Sequence, residues 1–244
     1  MEPAEDRKTV ILGGFLSHPL LYSSMKNQIT KMSGQETIIV HIPQYLWYVL
    51  IAPQGWVPVL KRLDRTLSRI HKTGPSSKVT LIGHSIGGVL GVLYLLAPSI
   101  GGLKGKPIQG IDHLITLGSP HTNKSRWLHG GSISRLVEKH GGSRAIKHKT
   151  RVTCIAGKGV LGNKQGTASE RKAYAIYKTL GGQGGVWGDG IVPVESALLP
   201  AANPIELDNV VHFSISGQAW YGSPEVVSRW WSMTQSAELS CKGT

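Results

Sequence analysis

The sequence predicts a single α/β domain, residues 1–244, in which a mainly parallel sheet is covered by helices on both faces. Short runs of β-branched and aliphatic residues alternate with longer amphipathic stretches, which is typical of parallel strands joined by helices. Of the 244 residues, 40% are hydrophobic and 17% are charged, as expected of a globular protein. The sequence contains neither an internal repeat nor an apolar stretch of transmembrane length.

The pattern places six strands and four helices along the chain. Strands are expected at residues 9–12, 37–42, 79–82, 114–117, 152–156 and 205–211, and helices at 20–32, 56–72, 89–96 and 225–233. The stretch 56–72 is the clearest helix because its apolar residues recur at the helical period. Segments at about 44–58 and 121–150 fall outside this core and are expected as cleft or lid insertions where the strands end. Glycine-rich stretches around 101–110 and 157–190 are expected to be loops.

The most informative segment is residues 78–88, where an aliphatic strand runs into Gly-x-Ser-x-Gly and a helical stretch follows at once. This strand–turn–helix context is what a nucleophile elbow requires, because the sharp turn lifts the serine hydroxyl clear of the sheet. Gly83 and Gly87 flank the serine since a Cβ at either position would collide with a neighbouring backbone. Ser85 is therefore the candidate nucleophile.

A serine hydroxyl needs a base, and the base is normally a histidine oriented by a carboxylate. In α/β-hydrolases the chain order is serine, acid, histidine, each following a strand. Of the ten histidines, His212 follows the apolar run 204–211 and precedes a last loop and helix, which is the position expected of the base. A histidine that only caps a strand is the alternative. His84 adjoins the serine, but its side chain is expected to point off the other side of the turn, behind the reacting residues.

The acid is expected on a loop between the serine and the histidine. Asp189 fits because glycines on both sides let the backbone turn tightly around its carboxylate. Glu195, six residues later, is the realistic rival. Asp112 is expected to precede its strand at the far edge of the sheet, and Asp208 to lie inside the last strand and point along the sheet.

Two backbone amides are expected to bind the oxyanion that forms during ester cleavage. One is the N–H of Ile86, directly after the nucleophile. The other comes from the loop after the first strand, where the sequence reads Gly-Gly-Phe, and is assigned to Phe15.

The chain is strongly basic, with 27 Lys and Arg against 14 Asp and Glu and a formal net charge of +13. Residues 122–151 carry eight of the basic residues and a single acid, Glu138. Such a face could approach an anionic membrane or an acidic partner, and a solvated basic surface is the simpler interpretation. No nucleic acid is expected as a partner, because aromatic residues are not interleaved with these charges.

Metal and disulfide chemistry are both weakly indicated. His121 and His129 could pair on a metal, but no Cys, Asp or Glu stands at ligand spacing, so His121 is expected to pack beside the site. Neither a metal nor an organic cofactor is predicted. Cys154 and Cys241 do not make a disulfide framework, and Cys154 is expected to be buried in a strand.

Several runs of the sequence together resemble the uncharacterised α/β-hydrolases of cyanobacteria and plastids, a group related to lipases and to the inositol deacylase of glycosylphosphatidylinositol anchors. The runs are residues 11–15, 81–88, 117–121, 156–158, 187–195, 211–212 and 220–224. The resemblance implies Ser85, Asp189 and His212 as the catalytic triad, in agreement with their positions. It also implies esters with long acyl or prenyl chains. Because residues 1–8 are charged and do not match a signal peptide, a cytoplasmic or plastid location is expected.

The sequence thus predicts a serine esterase of the α/β-hydrolase fold that acts on a lipid or small ester substrate, with possible contact to an anionic membrane. Two alternatives stay open. The same triad could pass an acyl group to an alcohol or amine, which would make the protein an acyltransferase. A scaffold that binds lipid or protein without catalysis is the other.

Overall fold

A central sheet of six parallel strands organises the protein, whose computed structural model describes residues 7–50, 55–74, 77–100, 110–124, 135, 150–200, 202–214 and 217–241. Within those ranges the strands are β1 (Arg7–Leu12), β2 (Thr37–Ile39), β3 (Lys78–His84), β4 (Ile111–Leu117), β5 (Arg151–Lys158), β6 (Val160–Leu161), β7 (Trp187–Gly188) and β8 (Asn203–Asp208). The sheet order is β2-β1-β3-β4-β5-β8, and β6 pairs with β7 as a separate antiparallel ribbon.

Helices connect the strands and cover the sheet. They are a 3-10 helix (Pro19–Tyr22), α1 (Ser23–Ser33), α2 (Gln44–Val49), α3 (Trp56–Thr73), α4 (Ile86–Ile100), α5 (Ala168–Gly181), α6 (Val194–Ala197) and α7 (Pro224–Cys241). Successive side chains of a strand point to opposite faces, and the core follows this period of two. Val10 and Leu12 of β1 belong to a core with α3 and α4. Ile11 belongs to a second core with α1 and α7, so helices cover both faces as predicted.

The strand register determines where a site can form. Leu12 at the end of β1 pairs with Gly83, and His84 at the end of β3 pairs with Leu117 at the end of β4. The loops after β1, β3 and β4 therefore leave the sheet side by side at its carboxyl edge. In open parallel sheets this edge is where ligands bind.

Several element boundaries differ from the sequence-based expectation. The strand expected at 37–42 ends at Ile39, and the one expected at 205–211 ends at Asp208, where Asn209 turns with a φ of 60°. The expected loop 157–190 contains α5, so that expectation is wrong for Ala168–Gly181. Its start is marked by a capping box, in which Thr167 and Glu170 each accept a hydrogen bond from the other's backbone amide.

The structure describes most of one expected insertion and little of the other. Of residues 44–58, the structure describes α2 and the beginning of α3 but not 51–54. Of residues 121–150, and with them the basic segment 122–151, only 121–124, 135 and 150–151 are described. A lid built from the basic segment therefore lies largely outside the described residues. No helix within the described ranges is long and apolar enough to cross a membrane.

Candidate active site

Ser85 sits on a strained turn between β3 and α4. Its φ is 56°, a left-handed conformation that side chains other than glycine rarely adopt and that costs on the order of 1–3 kcal/mol. The flanking glycines make the turn possible. A Cβ on Gly83 would overlap the α4 backbone at Gly88, and a Cβ on Gly87 would lie 2.5 Å from the Gly13 carbonyl oxygen. The structure thus has the strand–turn–helix geometry that the motif predicts.

Asp189 and His212 form a buried pair at the same edge of the sheet. The Nδ1 atom of His212 lies 2.7 Å from Oδ2 of Asp189, and each side chain is about 2% exposed or less. The backbones are joined as well, because the His212 amide donates to the Asp189 carbonyl at 2.8 Å. Since a carboxylate oxygen accepts, Nδ1 carries the donated proton and the other ring nitrogen, Nε2, is left available as a base.

The carboxylate of Asp189 receives four hydrogen bonds. The amides of Ile191 and Val192 donate to Oδ1 at 3.0 and 2.7 Å, and the Tyr221 hydroxyl joins His212 on Oδ2 at 2.9 Å. Burial, followed by the neighbouring carboxylate, raises the pKa of the Tyr221 phenol well above its ordinary value, so the phenol keeps its proton and donates. Every acceptor position of the carboxylate is used, and its orientation is therefore fixed.

Two glycines on neighbouring strands make room for this carboxylate. Gly118, directly after β4, has a φ of 52°, and a Cβ there would lie 2.5 Å from Oδ2 of Asp189. A Cβ on Gly157 of β5 would lie 3.2 Å from the Asp189 Cβ and 3.0 Å from the Tyr221 hydroxyl. The Gly157 amide instead donates to that hydroxyl at 2.7 Å. Sequence reasoning assigned no role to Gly118, Gly157 or Tyr221, although each lies in a run on which the resemblance rests.

The carboxylates that competed with Asp189 lie elsewhere. Glu195 is exposed on α6, and Asp208 at the end of β8 pairs with Lys158 at 3.3 Å. Asp112 is the second residue of β4 rather than a residue before it, as had been expected. It lies at the opposite edge of the sheet, where it pairs with Arg7 at 2.7 Å. None of the three contacts His212 in the part of the chain that the structure describes.

His84 lies behind the reacting residues, as expected, but its side chain points towards His212, so the expected direction is wrong. Its buried ring lies 4.8 Å from the ring of His212, and Phe213 packs against both rings at 5.3 and 4.6 Å. His84 thereby links Ser85, its chain neighbour, to the Asp189–His212 pair. Within the described ranges the Ser85 hydroxyl makes no hydrogen bond to His212; such bonds are often long in free enzymes and shorten when substrate binds.

The amides expected to bind an oxyanion lie beside Ser85. A Cβ on Gly14 would come within 3.0 Å of the Ser85 Cβ, which places the loop after β1 against the serine. The Gly14 amide itself donates to the Tyr22 hydroxyl at 2.8 Å. Among the described residues, the amides of Phe15 and Ile86 have no acceptor. Ile86 is also the first residue of α4, where the helix dipole favours negative charge.

His121, one of the two histidines considered for a metal, is buried beside Cys154, whose Sγ lies 3.9 Å from its Nε2. His121 Nε2 lies 3.1 Å from the Thr116 hydroxyl, and burial lowers the pKa of His121 to about 3. Cys154 is buried in β5, as expected, and burial raises the pKa of its thiol. No three side chains that could hold a metal come together within the described ranges, while His129 lies outside them.

A small hollow, partly open to solvent, adjoins the loop after β1. Its lining includes Gly13, Ser17 and Tyr22 on one side and Trp47 of α2 on the other. The ring of Trp47 also packs edge-on against Phe15, with ring centres 6.2 Å apart. At least one residue of the 44–58 segment therefore borders the loop that carries the Phe15 amide.

The parallel sheet, the strained serine turn after β3 and the later aspartate and histidine define the α/β-hydrolase fold, and solved structures support this. The metagenomic carboxyl esterase MGS0156 is 11% identical over 95% of this chain and 77% of that one, with a TM-score of 0.59. A structure from the pair LipS and LipT, two metagenome-derived lipolytic enzymes, is 9% identical over 95% of this chain and 94% of that one, with a TM-score of 0.54. The product of gene lin2722 from Listeria innocua is 15% identical over 93% of both chains, with a TM-score of 0.54. At such low identities the similarity shows the fold alone.

Comparisons of sequence add nothing to this assignment. No protein-family model matches the chain, and no curated protein matches it. What the protein does therefore has to be argued from its own site.

Proposed function

We propose that the protein is a serine hydrolase that cleaves carboxylic esters, lipid-like ones in particular, through an acyl-enzyme on Ser85. The observation that carries this proposal is the buried hydrogen bond between His212 and Asp189 at the edge of the sheet where Ser85 occupies its strained turn. A nucleophile, a base and an orienting acid at one edge are the components of acyl transfer. The α/β-hydrolase neighbours, among them esterases and lipolytic enzymes, agree with this chemistry.

The first half of the reaction forms the acyl-enzyme. The Ser85 oxygen attacks the ester carbonyl carbon while Nε2 of His212 takes the hydroxyl proton, and Asp189 stabilises the imidazolium that results. The carbonyl oxygen becomes an oxyanion that accepts hydrogen bonds from the amides of Phe15 and Ile86. The carbon–oxygen bond to the alcohol then breaks, and the alcohol leaves with the proton from His212.

In the second half of the reaction, water is the nucleophile and the Ser85 oxygen is the leaving group. His212 takes a proton from a water molecule, whose oxygen attacks the acyl carbon. The second oxyanion occupies the same two amides, and the Ser85–acyl bond breaks with return of the proton to the serine. The His212 side chain makes every proton transfer, and backbone amides stabilise both oxyanions, so this mechanism needs neither a metal nor an organic cofactor.

An apolar surface beside the site supports a lipid-like substrate. We define the entrance face as the exposed apolar residues of the loop after β1, the following 3-10 helix and α2. These residues are Phe15, Leu16, Leu20, Leu21, Tyr45 and Tyr48, and they are 36–74% exposed. The Phe15–Trp47 contact joins the loop to α2, so these residues lie on neighbouring elements. Clustered exposed apolar side chains mark places where proteins meet apolar partners.

The net charge of the chain favours an anionic membrane as the surface that the entrance face contacts. Residues 13–22 and 40–50, which build the face, contain no Asp, Glu, Lys or Arg, and the attraction would come from the rest of the chain, whose formal net charge is +13. Each Lys or Arg close to an anionic bilayer contributes about 1 kcal/mol of attraction. The proposed contact is peripheral, in the cytoplasm or in a plastid, and brings the site to its ester.

The serine assignment is tested with a fluorophosphonate probe and with p-nitrophenyl esters from acetate to palmitate. Wild type should be labelled and should cleave esters, and Ser85→Ala should lose both properties while its thermal unfolding stays cooperative. Ser119→Ala is the matched control, because Ser119 is fully buried after β4 and out of a probe's reach. Equal labelling of wild type and Ser85→Ala would contradict the proposal.

The other outcomes of that test separate the alternatives. Release of p-nitrophenol that depends on an added alcohol, with the acyl group recovered on that alcohol and not as the free acid, would identify an acyltransferase. No labelling of a folded wild-type protein would favour the binding scaffold. A chain-length profile that rises towards palmitate supports the lipid-like substrate, whereas a maximum at acetate would restrict the proposal to short esters.

The membrane contact is tested by flotation with vesicles of phosphatidylglycerol or phosphatidylcholine. Leu20→Gln removes an apolar side chain that is 74% exposed, and binding to phosphatidylglycerol should fall roughly tenfold because a buried leucine stabilises by about 1.5–3 kcal/mol. Met233→Gln on α7, where Met233 is 46% exposed, is the control. Equal loss in both variants, or no binding by wild type, would contradict the membrane contact.

A further inference from the structure

A buried chain of hydrogen bonds runs from the loop after β1 to the ring of His84. The Gly14 amide donates to the Tyr22 hydroxyl at 2.8 Å, and that hydroxyl lies 2.9 Å from Nδ1 of His84. Tyr22 is 1% exposed and His84 is fully buried. The chain joins the loop that carries one oxyanion amide to the histidine that packs against His212, so its geometry bears on both parts of the proposed site.

The direction of each hydrogen bond follows from the protons available. The Tyr22 oxygen accepts from Gly14 and has a single proton of its own to donate. Ser17 donates its hydroxyl proton to the Gly14 carbonyl at 2.7 Å and also contacts the phenol, so its oxygen competes with Nδ1 of His84 for the phenol proton. Burial raises the pKa of Tyr22 and lowers the pKa of His84 well below its ordinary value, while the His212 backbone acts on His84 as a hydrogen-bond acceptor. Because Nδ1 faces Tyr22, that acceptor places the ring proton on Nε2, and the protonated phenol donates to Nδ1 of a neutral His84.

Because the Gly14 amide is already hydrogen-bonded to Tyr22, the next amide of the loop, that of Phe15, is the one left to donate. The Ser17 and Tyr22 contacts hold the peptides on either side of Gly14: Tyr22 binds the N–H of the Gly13–Gly14 peptide, and Ser17 binds the carbonyl of the Gly14–Phe15 peptide, which also carries the Phe15 N–H. The next amide, that of Phe15, has no acceptor among the described residues. The loop is thus held in the conformation in which Phe15, and not Gly14, can donate to an oxyanion.

His84 connects this arrangement to the base. Its ring lies 4.8 Å from His212 and is enclosed by Tyr22, Trp220 and Tyr221 at 5.7–5.8 Å between ring centres. The Nε2 atom of His84 is buried and makes no well-formed hydrogen bond among the described residues. The His212 backbone is the polar group that interacts with the ring there and opposes the lowering of the His84 pKa by burial. A neutral ring here fills space beside His212 without competing for the proton that His212 takes up.

We infer that Tyr22 and His84 are positioning residues for ester cleavage: the Tyr22 hydroxyl holds the Gly13–Gly14 peptide, and through it the orientation of the next peptide, whose Phe15 amide faces the oxyanion, while His84 holds that hydroxyl. The inference rests on the proposed function, since it assigns roles within the same site. Neither side chain touches the substrate. Both act on the amide that does, and on the ring of the base.

The kinetic test compares two Tyr→Phe variants, each of which loses one buried hydroxyl. Tyr22→Phe should lower kcat by about 10- to 100-fold, because loss of a whole oxyanion donor costs 100- to 1000-fold and here the donor is only displaced. KM should change less than twofold. The control is Tyr94→Phe, whose hydroxyl donates to Asp64 at 2.8 Å between α4 and α3, and its kcat should match wild type. A kcat of Tyr22→Phe equal to that of the control would overturn the inference.

Replacement of His84 tests the acceptor. His84→Asn keeps an amide oxygen near the position of Nδ1 and should retain more of kcat than His84→Ala does. A packing role alone would give two variants with similarly reduced kcat and equal loss of thermal stability. Equal kcat in the two His84 variants would therefore contradict the assignment of His84 as the acceptor for Tyr22.

A measurement without substrate separates this inference from the proposed function. Nitrogen-15 spectra of the histidine rings should show His84 neutral, with its proton on Nε2, from pH 5 to pH 8. Amide hydrogen exchange at Gly14 should become faster in Tyr22→Phe than in Tyr94→Phe. If these results hold while Ser85→Ala still reacts with fluorophosphonate, the proposed function fails and the hydrogen-bond chain stands. If His84 carries its proton on Nδ1 in an active enzyme, the inference fails alone.

Discussion

Both the amino edge and the carboxyl edge of the central sheet hold a carboxylate and a histidine, but the two edges differ in what these groups contact. At the amino edge, Arg7 pairs with Asp112 at 2.7 Å, and Arg151 donates to Nδ1 of His113 at 2.9 Å. The other ring nitrogen of His113 donates to Thr153 at 2.9 Å. At the carboxyl edge, the carboxylate of Asp189 and the ring of His212 are hydrogen-bonded to each other at 2.7 Å. Burial of a histidine near charged groups therefore does not by itself distinguish a catalytic site from a structural network.

The difference lies in what each edge leaves available. The His113 ring uses both nitrogens, in hydrogen bonds with two side chains of the neighbouring strand β5. At the carboxyl edge, Ser85 is strained at a φ of 56°, and the amides of Phe15 and Ile86 have no acceptor in the part of the chain described. Strain and unused donors cost stability, so they persist only where the surrounding structure imposes them. Among the described residues, this combination favours the carboxyl edge as the reactive one.

Neutralisation of one carboxylate at each edge tests this comparison most strongly. Asp189→Asn should lower kcat roughly 10⁴-fold, because an amide in place of the carboxylate favours the wrong tautomer of His212. Asp112→Asn makes the same chemical change at the amino edge and should leave kcat unchanged. The measurement is kcat for a p-nitrophenyl ester, with circular dichroism to verify folding of both variants.

Glu195→Gln is the second control, since Glu195 was the rival acid in the sequence and is exposed on α6. It should retain wild-type kcat. A large loss of kcat in Glu195→Gln with a small loss in Asp189→Asn would mean that the acid is misassigned. Similar losses at Asp112 and Asp189 would remove the distinction between the two edges.

Tyr221→Phe should have a smaller effect at the carboxyl edge. The substitution removes one of the two donors to Oδ2 of Asp189 and the acceptor of the Gly157 amide, but His212 keeps its hydrogen bond. We expect kcat to fall about tenfold and the free energy of unfolding to fall by about 1–3 kcal/mol, as for other buried groups left unpaired. Urea unfolding and ester kinetics measure the two effects; Tyr94→Phe should show only the loss of stability.

The sequence was sufficient to predict the fold and the residues that the structure brings together at the carboxyl edge. His212 was selected because it follows the last strand, and Asp189 because it lies between the serine and the histidine on a loop whose flanking glycines allow a tight turn. The pairing of the two was then a consequence of topology. The helix α5 was missed because glycines around it suggested a loop, although Thr167 and Glu170 have the spacing of a capping box.

The supporting hydrogen bonds could not be predicted in this way. Tyr22 reaches His84 across 62 residues and Tyr221 reaches Asp189 across 32, and no local pattern encodes such contacts. The direction of the His84 side chain was predicted wrongly for the same reason. A residue's place on a turn can be read from its neighbours, but the cavity that its side chain fills is built by distant elements.

The smallest expected effect on activity is at the amino edge, where His113 should influence stability alone. Burial, with Arg151 and Arg7 nearby, lowers the pKa of His113 to about 3, below the ordinary value of 6.5. The unfolded chain therefore binds a proton that the folded protein excludes, and stability falls as the pH falls below 6.5, by about 2 kcal/mol between pH 7 and pH 5 for this residue. His113→Gln should remove that share of the pH dependence in urea unfolding, while kcat at pH 7 stays at the wild-type value. An unchanged pH dependence, or a loss of kcat, would show that the two edges are not independent.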